Sequence, residues 1–307
     1  MKKLLTTLFL LILLGFIFYN YNDIMYFVMR NVVYRETNLV HENNIYYKND
    51  EFMYVDETKD FTPKNKQEIL NIFYTALNGG WDQFTYYCDT SYNNCIADTQ
   101  EIINDKTLLS NINNFVGTYN SYKKILVNMN SLGRVNVIFE KNYSDNIIQI
   151  VTNKVNEIYD NIINENMNDH DKIKAVHDYI INNTVYDEEK VNEIDNGIIN
   201  NYNLSNIAYG PLITGKGICS GYTDAMALFL DKMGITNYKI STESHTWNLV
   251  KLDGVWYHLD LTWDDPKVVN ENINLLEYNF FLIDSKKLGE INTGEHEYDR
   301  TIYLEAN

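Results

Sequence analysis

The dipeptide Asp253-Gly254 constrains this chain more than any other feature of its sequence. It separates two runs in which apolar and polar residues alternate. Such a pair marks a two-residue hairpin turn, because both turn residues must take positive φ. If the turn closes there, Leu252 faces Val255, and counting outward sets Trp247 opposite Asp260 and His245 opposite Thr262. Side chains alternate across a strand. One face therefore carries His245, Trp247, Leu249, Trp256, His258, Asp260 and Thr262, and reads as functional. The other carries Val250, Leu252, Val255, Tyr257, Leu259 and Leu261, with Thr246 and Asn248 at one end, and reads as core. His245 and Asp260 become diagonal neighbours about 7–8 Å apart, within side-chain reach. His258 shares that face nearer the turn and reads as a surface residue.

A nucleophile stands upstream. Thr214-Gly215-Lys216-Gly217-Ile218 reads as a loop, and Cys219 opens a helix that runs to about Met233 and stops at Gly234. Ala225, Met226, Phe229, Leu230 and Met233 form its apolar side. Free N–H groups and the helix dipole stabilise an anion at a helix start, which favours thiolate. Gly217 and Gly221 are expected to leave room for a substrate backbone. A cysteine at a helix start is by itself unremarkable. Joined to His245 as base and Asp260 as orienting carboxylate, Cys219 becomes a candidate nucleophile.

The rest of the chain is read from periodicity. Helices are expected from Lys66 to Leu77, ended by Gly79-Gly80, from Thr99 to Phe115, and from Ile147 to about Ile163. Lys123 to Met129 and Arg134 to Glu140 alternate around Ser131-Leu132-Gly133, which predicts a hairpin. Asp169 or Asp171 is expected to cap a helix through Ile181, with Ile173, Val176, Ile180 and Ile181 on its apolar stripe. His177 lies beside that stripe and reads as a buried, hydrogen-bonded histidine. These elements suggest an N-terminal α/β region over residues 35–145 and a catalytic domain over residues 146–307.

Composition sets the boundaries of function. A formal charge of −17 over 307 residues repels phosphate backbones, so nucleic acid is not an expected partner. Lys2 and Lys3 precede an apolar run from Leu4 to Tyr19 with no small-x-small cleavage site after it. This predicts an export signal over residues 1–22, either retained as a membrane anchor or removed, with the remainder at the cell surface or secreted. The chain has 3 cysteines. Cys88 and Cys95 could close a short loop by a disulfide or stand as two thiols; Cys219 is left over. Cys-x-x-Cys, His-Glu-x-x-His and calcium-loop patterns are absent, so neither metal nor cofactor is predicted.

Three ordered blocks carry a family resemblance. Gly215-Lys216-Gly217-Ile218-Cys219-Ser220-Gly221-Tyr222, His245-Thr246-Trp247-Asn248-Leu249-Val250 and Trp256-Tyr257-His258-Leu259-Asp260-Leu261-Thr262-Trp263-Asp264 resemble the signature blocks of the transglutaminase-like superfamily. The resemblance covers roughly residues 170–285 and implies a papain-like α+β core, the nucleophile helix packed on an antiparallel sheet. It matches Cys219, His245 and Asp260 to the family's triad, with Thr246 where many members carry Ala. It further implies a thioester acyl-enzyme formed on a protein or peptide substrate and resolved by an amine or by water. The oxyanion is expected to meet the Cys219 N–H and one upstream donor, for which Tyr209 is a candidate. Trp247, Trp256 and Trp263 either wall a cleft or fill core, with packing favoured for Trp263. The contrasting expectation is a catalytically silent cell-surface binding module on the same fold.

Overall fold

In the computed structural model, which describes residues 2–33, 41–48, 54–197, 204–265, 276–291 and 294–307, helices and short sheets alternate along the chain. Two compact units interleave. Met1–Tyr47, Val55–Lys106 and Lys123–Glu140 form the first, and Lys48–Tyr54, Thr107–Tyr122 and Lys141–Asn307 form the second. Thr107–Tyr122, which a boundary at residue 145 assigns to the N-terminal region, groups with the second unit.

The first unit opens with α1 (Lys2–Tyr19) and α2 (Tyr21–Val28). Among the described residues, no single helix is long and apolar enough to cross a membrane. One pair bent by 72°, Lys3–Tyr19 with Tyr21–Val33, passes on length and composition alone. In α3 (Lys66–Asn78), the Asn65 side chain accepts from the Glu68 N–H while the Glu68 carboxylate accepts from the Lys64 N–H. This reciprocal cap fixes the helix start. Its face of Ile69, Ile72, Phe73 and Leu77 is buried, as its periodicity predicts. The hairpin forms from β2 (Tyr122–Met129) and β3 (Arg134–Lys141), but a third strand precedes it: β1 (Gln83–Tyr87) pairs antiparallel with β3, giving the order β1–β3–β2. Tyrosines at both faces hide β1's alternation in the sequence. Phe73 meets Phe84 edge-on at 5.3 Å between ring centroids, which seats α3 on this sheet.

The single helix expected from Thr99 to Phe115 is broken. α4 (Cys95–Asn104) ends at Asp105, whose φ of −87° and ψ of 95° are extended, and α5 (Lys106–Asn113) starts anew. Aspartate offers the backbone non-helical alternatives that a continuous apolar stripe does not reveal. Cys88, just past β1, is disulfide-bonded to Cys95 at the start of α4, with 5.6 Å between Cα atoms.

The second unit contains α6 (Asp145–Ile162), α7 (Asp169–Asn182), β4 (Val185–Tyr186), α8 (Glu188–Asp195), β5 (Lys216–Gly217) and α9 (Cys219–Met233). It continues with β6 (Asn237–Ser241), β7 (Thr246–Leu252), β8 (Val255–Leu259), α10 (Leu261–Asp264) and α11 (Ser285–Ile291). The cap of α7 is Asn168, whose side chain accepts from the Asp171 N–H at 2.8 Å. Asp169 and Asp171, expected to cap it, instead occupy its first turn, where carboxylates suit the helix dipole. At the centre lies α9, buried from Gly221 to Leu230 on every side. Burying a whole helix forces its polar residue to be paired. Asp224 accepts from the Tyr143 hydroxyl and from Lys239 Nζ, each at 2.7 Å, and the Ala208 N–H donates to the same Tyr143 oxygen.

The sheet order is β6–β7–β8, antiparallel throughout. Asp253 and Gly254 take φ of 52° and 83°, the two positive values that a tight hairpin turn requires. Pairing runs from Leu252↔Val255 to Asn248↔Leu259, the register the turn predicts. The ladder then stops. Asp260 caps α10, so Thr262 is helical and does not face His245 across a strand pair. The face read as core is buried at Val250, Leu259 and Leu261, and the face of His245 and Asp260 is covered as well. α9 lies on one, where the Asn248 amide donates to the Thr223 carbonyl at 3.1 Å. The C-terminal segment pairs with the edge of β8 through a backbone bridge between His258 and Ile283 and sets His296 against Trp247 on the other face.

The pairing state of the cysteines gives a direct check. Under denaturing, non-reducing conditions an alkylating reagent should add once, at Cys219, and after reduction three times, read by intact mass. Replacing Cys88 and Cys95 together by serine should cost the first unit roughly 2–3 kcal/mol, the loop-closure value for so short a ring, measured by denaturant unfolding.

Candidate active site

Local backbone geometry sets Cys219 at the first position of α9. Ile218 is the capping residue, extended at φ −105° and ψ 175°, and its side chain cannot accept a hydrogen bond. Among the described residues the Cys219 N–H has no acceptor, so the helix start keeps an open donor beside the sulfur. The two glycines expected to admit substrate have another role. A Cβ at Gly221 would lie 2.3 Å from the Ser205 carbonyl oxygen, and one at Gly217 would lie 2.7 Å from Pro211. The chain's own Ser205–Pro211 segment fills that space, and the Ile218 N–H donates to the Ser205 carbonyl at 2.9 Å. Cys219 itself is partly exposed.

His245 immediately precedes β7 and Asp260 immediately follows β8, so the hairpin register brings the two together at the end of the ladder. His245 Nε2 lies 2.5 Å from Asp260 Oδ2, with both residues buried. A carboxylate can only accept, so Nε2 carries the proton and Nδ1 is the nitrogen left for the thiol. Cys219 also acts on the ring, favouring its charged form. His245 and Asp260 are thus in direct contact, with Cys219 within electrostatic reach of the ring.

Electrostatics follow from burial and pairing. Burial disfavours a charged His245, but the charge of Asp260, its hydrogen bond and the contact with Cys219 outweigh this and push the ring up to about 10. Burial likewise disfavours an ionised Asp260. The charge of His245 and hydrogen bonds from His245 and His296 overcome it and hold the carboxyl at about 2. Asp260 Oδ1 accepts from the backbone N–H groups of Thr262 and Trp263 at 3.0 and 3.3 Å.

His258 is not a surface residue. It is 1% exposed, its Nδ1 accepts from Trp247 Nε1 at 3.1 Å, and its Nε2 faces the Ser285 hydroxyl at 3.0 Å. Burial, followed by the field of His296, pushes it down to about 3, so it is neutral. The C-terminal segment that covers it leaves no trace in local periodicity. His177 is buried as its stripe predicts, with Nδ1 3.0 Å from Asp178 and Nε2 3.1 Å from Asp264. Trp247 is core, fully buried and stacked 5.7 Å from His245. Trp263 packs against Phe280 and His296, each 5.6 Å away between ring centroids.

Two residues escaped sequence reasoning. His296 Nε2 lies 2.8 Å from Asp260 Oδ2, on the oxygen that His245 also uses. Tyr186, on β4, is half-buried, and burial followed by the nearby charges of Cys219, Glu295 and Asp260 pushes its phenol up to about 12. Tyr209, the donor expected from sequence, stands at the entry to the π-helical turn Gly210–Thr214. Neither His296 nor Tyr186 belongs to a block with recognisable spacing. His245, Asp260 and His296 offer three ligand-type atoms within 4.8 Å of one another. Ligands on one tetrahedral metal keep about 3.3 Å between donor atoms. The N···O separations of 2.5 and 2.8 Å are those of shared protons.

The pair predicts a stability profile. His245, raised above its ordinary 6.5, contributes stability in full below that value and loses it as pH rises through about 10. Asp260, lowered from 3.8, contributes above 3.8 and loses its share as pH falls towards about 2. The deficit of Asp260→Asn relative to wild type should therefore be largest between pH 3.8 and 6.5, about 3 kcal/mol. It should narrow on either side, as read by thermal unfolding against pH.

Comparison with known proteins finds a family match over part of the chain. No curated protein matches the chain. Two solved structures are similar over part of it. One is a crystal structure of a TGase, 16% identical, covering 52% of this chain and 49% of its own, with a TM-score of 0.37. The other, from Cytophaga hutchinsonii, is described as a "putative cysteine protease"; it is 14% identical, covers 50% of this chain and 65% of its own, and has a TM-score of 0.28. The chain thus spans about half the length of the first and less than two thirds of the second. The family model described as Transglutaminase-like superfamily matches residues 156–261, about a third of the chain, which run from within α6 through α9 and the hairpin to Leu261, a transglutaminase-like core of mixed helix and sheet.

Proposed function

We propose that the chain is an exported cysteine enzyme of papain-like architecture that acts on amide bonds of proteins or peptides. Cys219 is the nucleophile, His245 the base and Asp260 the orienting carboxylate. The observation that carries this reading is the buried His245 ring, 2.5 Å from Asp260 and within electrostatic reach of Cys219. The proton resides on His245, leaving Cys219 as a thiolate beside imidazolium, and the thiolate adds to the amide carbonyl carbon. The developing oxyanion is met by the open Cys219 N–H. Tyr186 supports a second donor better than Tyr209, because its phenol feels the charge of Cys219 and burial keeps its proton in place. Imidazolium then protonates the departing nitrogen, the C–N bond breaks, and a thioester forms with release of amine or ammonia. An incoming amine or water gives its proton to His245 and its lone pair to the thioester carbon, the C–S bond breaks, and Cys219 leaves as the thiolate beside imidazolium.

Export rests on the paired lysines and apolar run at the N-terminus and on the Cys88–Cys95 disulfide, a bond typical of oxidising compartments. The catalytic unit then faces the cell exterior, held by the N-terminal segment or released from it. If so, a membrane-impermeant maleimide should label Cys219 on intact cells; labelling that appears only after lysis argues for the interior.

The enzymatic reading has its own test. Iodoacetamide near neutral pH should label Cys219 faster than a free thiol, and His245→Ala should slow it at least tenfold. Equal rates in both proteins would point instead to a silent binding module. Offering the full-length chain a glutamine-bearing protein and a labelled amine then separates amine incorporation from cleavage, and either product should vanish in Cys219→Ala.

A further inference from the structure

The buried carboxylate at the end of β8 serves two imidazoles. Asp260 Oδ1 is saturated by the N–H groups of Thr262 and Trp263. Oδ2 has two lone pairs: His245 takes one, and His296, 36 residues downstream of Asp260, takes the other at 2.8 Å. His296 is itself buried and its ring is fixed by aromatic neighbours. Phe280 stacks on it at 4.9 Å, Trp247 lies 4.8 Å away edge-on, and the His245 ring lies 5.1 Å away. Because the carboxylate can only accept, His296 must present Nε2–H.

We infer that His296 is a positioning residue of this site, whose Nε2–H fills the second lone pair of Asp260 Oδ2 and so keeps the carboxylate ionised and aimed at His245. The inference rests on the proposed Cys219–His245–Asp260 reading and deepens it. The rings of Trp247, Trp263 and Phe280 pack around His296, and the Trp247 N–H is already given to His258. An unpartnered lone pair on a buried carboxylate is costly, and the cheapest relief is to take up a proton. A protonated Asp260 would donate to His245 Nε2 and drive the ring to its Nδ1–H tautomer. That tautomer cannot accept a proton from Cys219. His296 thus acts through Asp260 and touches neither the sulfur nor the bond to be broken.

The titratable groups that act on Asp260 are His245 before β7, His296 on the C-terminal segment, His258 on β8, Asp264 on α10 and Tyr186 on β4. Cys219 on α9 reaches it through His245. Removing the His296 donor leaves the other groups in place, so the carboxylate becomes easier to protonate and the acid limb of thiol reactivity moves to higher pH.

The experiment measures the rate of Cys219 alkylation by iodoacetamide from pH 4 to 9 in the full-length chain. It compares wild type, His296→Phe, His296→Gln, His296→Asn and His245→Ala, with a thermal melt for each. Phenylalanine keeps the packing and removes the donor, whereas glutamine returns an N–H near the position of Nε2. Asparagine is too short to reach. The acid limb should rise by about one pH unit in His296→Phe, with labelling at the foot of the limb about tenfold slower. Glutamine should restore the wild-type limb and rates within about threefold, and asparagine should behave as phenylalanine does. If phenylalanine prevents folding, the contrast between glutamine and asparagine decides. A wild-type limb in the phenylalanine or asparagine variant, with labelling still dependent on His245, overturns the role of His296 alone. Wild-type labelling indifferent to His245→Ala overturns the triad reading and this inference together.

Discussion

The second unit turns on one buried carboxylate. Asp260 accepts four hydrogen bonds, from His245, His296 and the N–H groups of Thr262 and Trp263, and each fixes a different piece of chain relative to it. The two N–H groups end strand β8 and start helix α10. The bond from His245 ties the entry of β7 to the exit of β8, and that from His296 ties in the C-terminal segment. Burying a charge is expensive unless every acceptor site is used. A site that can hold Asp260 ionised is therefore one in which all these segments have already found their places.

The same economy governs the nucleophile helix. α9 is buried on all sides, which suits its alanines, methionines and leucines but forces Asp224 to be paired. Tyr143 and Lys239 satisfy it from α6's leading edge and from β6. A helix held this firmly presents its first residue at a fixed height above the sheet. The place of Cys219 is set away from the sulfur, by the burial of the helix and the close approach at Gly221. Positioning by rigid elements is what a triad needs, since a small displacement of nucleophile or base costs reactivity steeply.

The helix Thr99–Phe115 and the position of His258 show where local pattern misleads. A continuous apolar stripe cannot report that Asp105 leaves helical geometry, because the break costs little once two shorter helices can each bury their faces. His258 sits on a strand near a turn, an environment that is solvent in a two-layer fold. It is buried here because the segment from Ile283 pairs with the edge of β8 and brings the Ser285 hydroxyl onto its ring. Nothing within ten residues of His258 encodes that return.

Sequence alone determined the elements whose geometry is closed locally. The Asp253-Gly254 turn demands positive φ at both positions and thereby fixes strand register, which places His245 and Asp260 at one end of the hairpin. The loop before Cys219 and the apolar stripe after it fix where the nucleophile's helix begins. Tertiary structure decided everything that depends on segments far apart in the chain. It brought His296 onto Asp260 and Tyr186 into the field of Cys219. It also packed the chain's own Ser205–Pro211 segment against the glycines that had seemed to wait for substrate. The reason is physical: a turn's dihedral requirements are written in its own residues, whereas the partner of a buried charge is chosen by whichever distant segment can reach it without leaving a polar group unsatisfied.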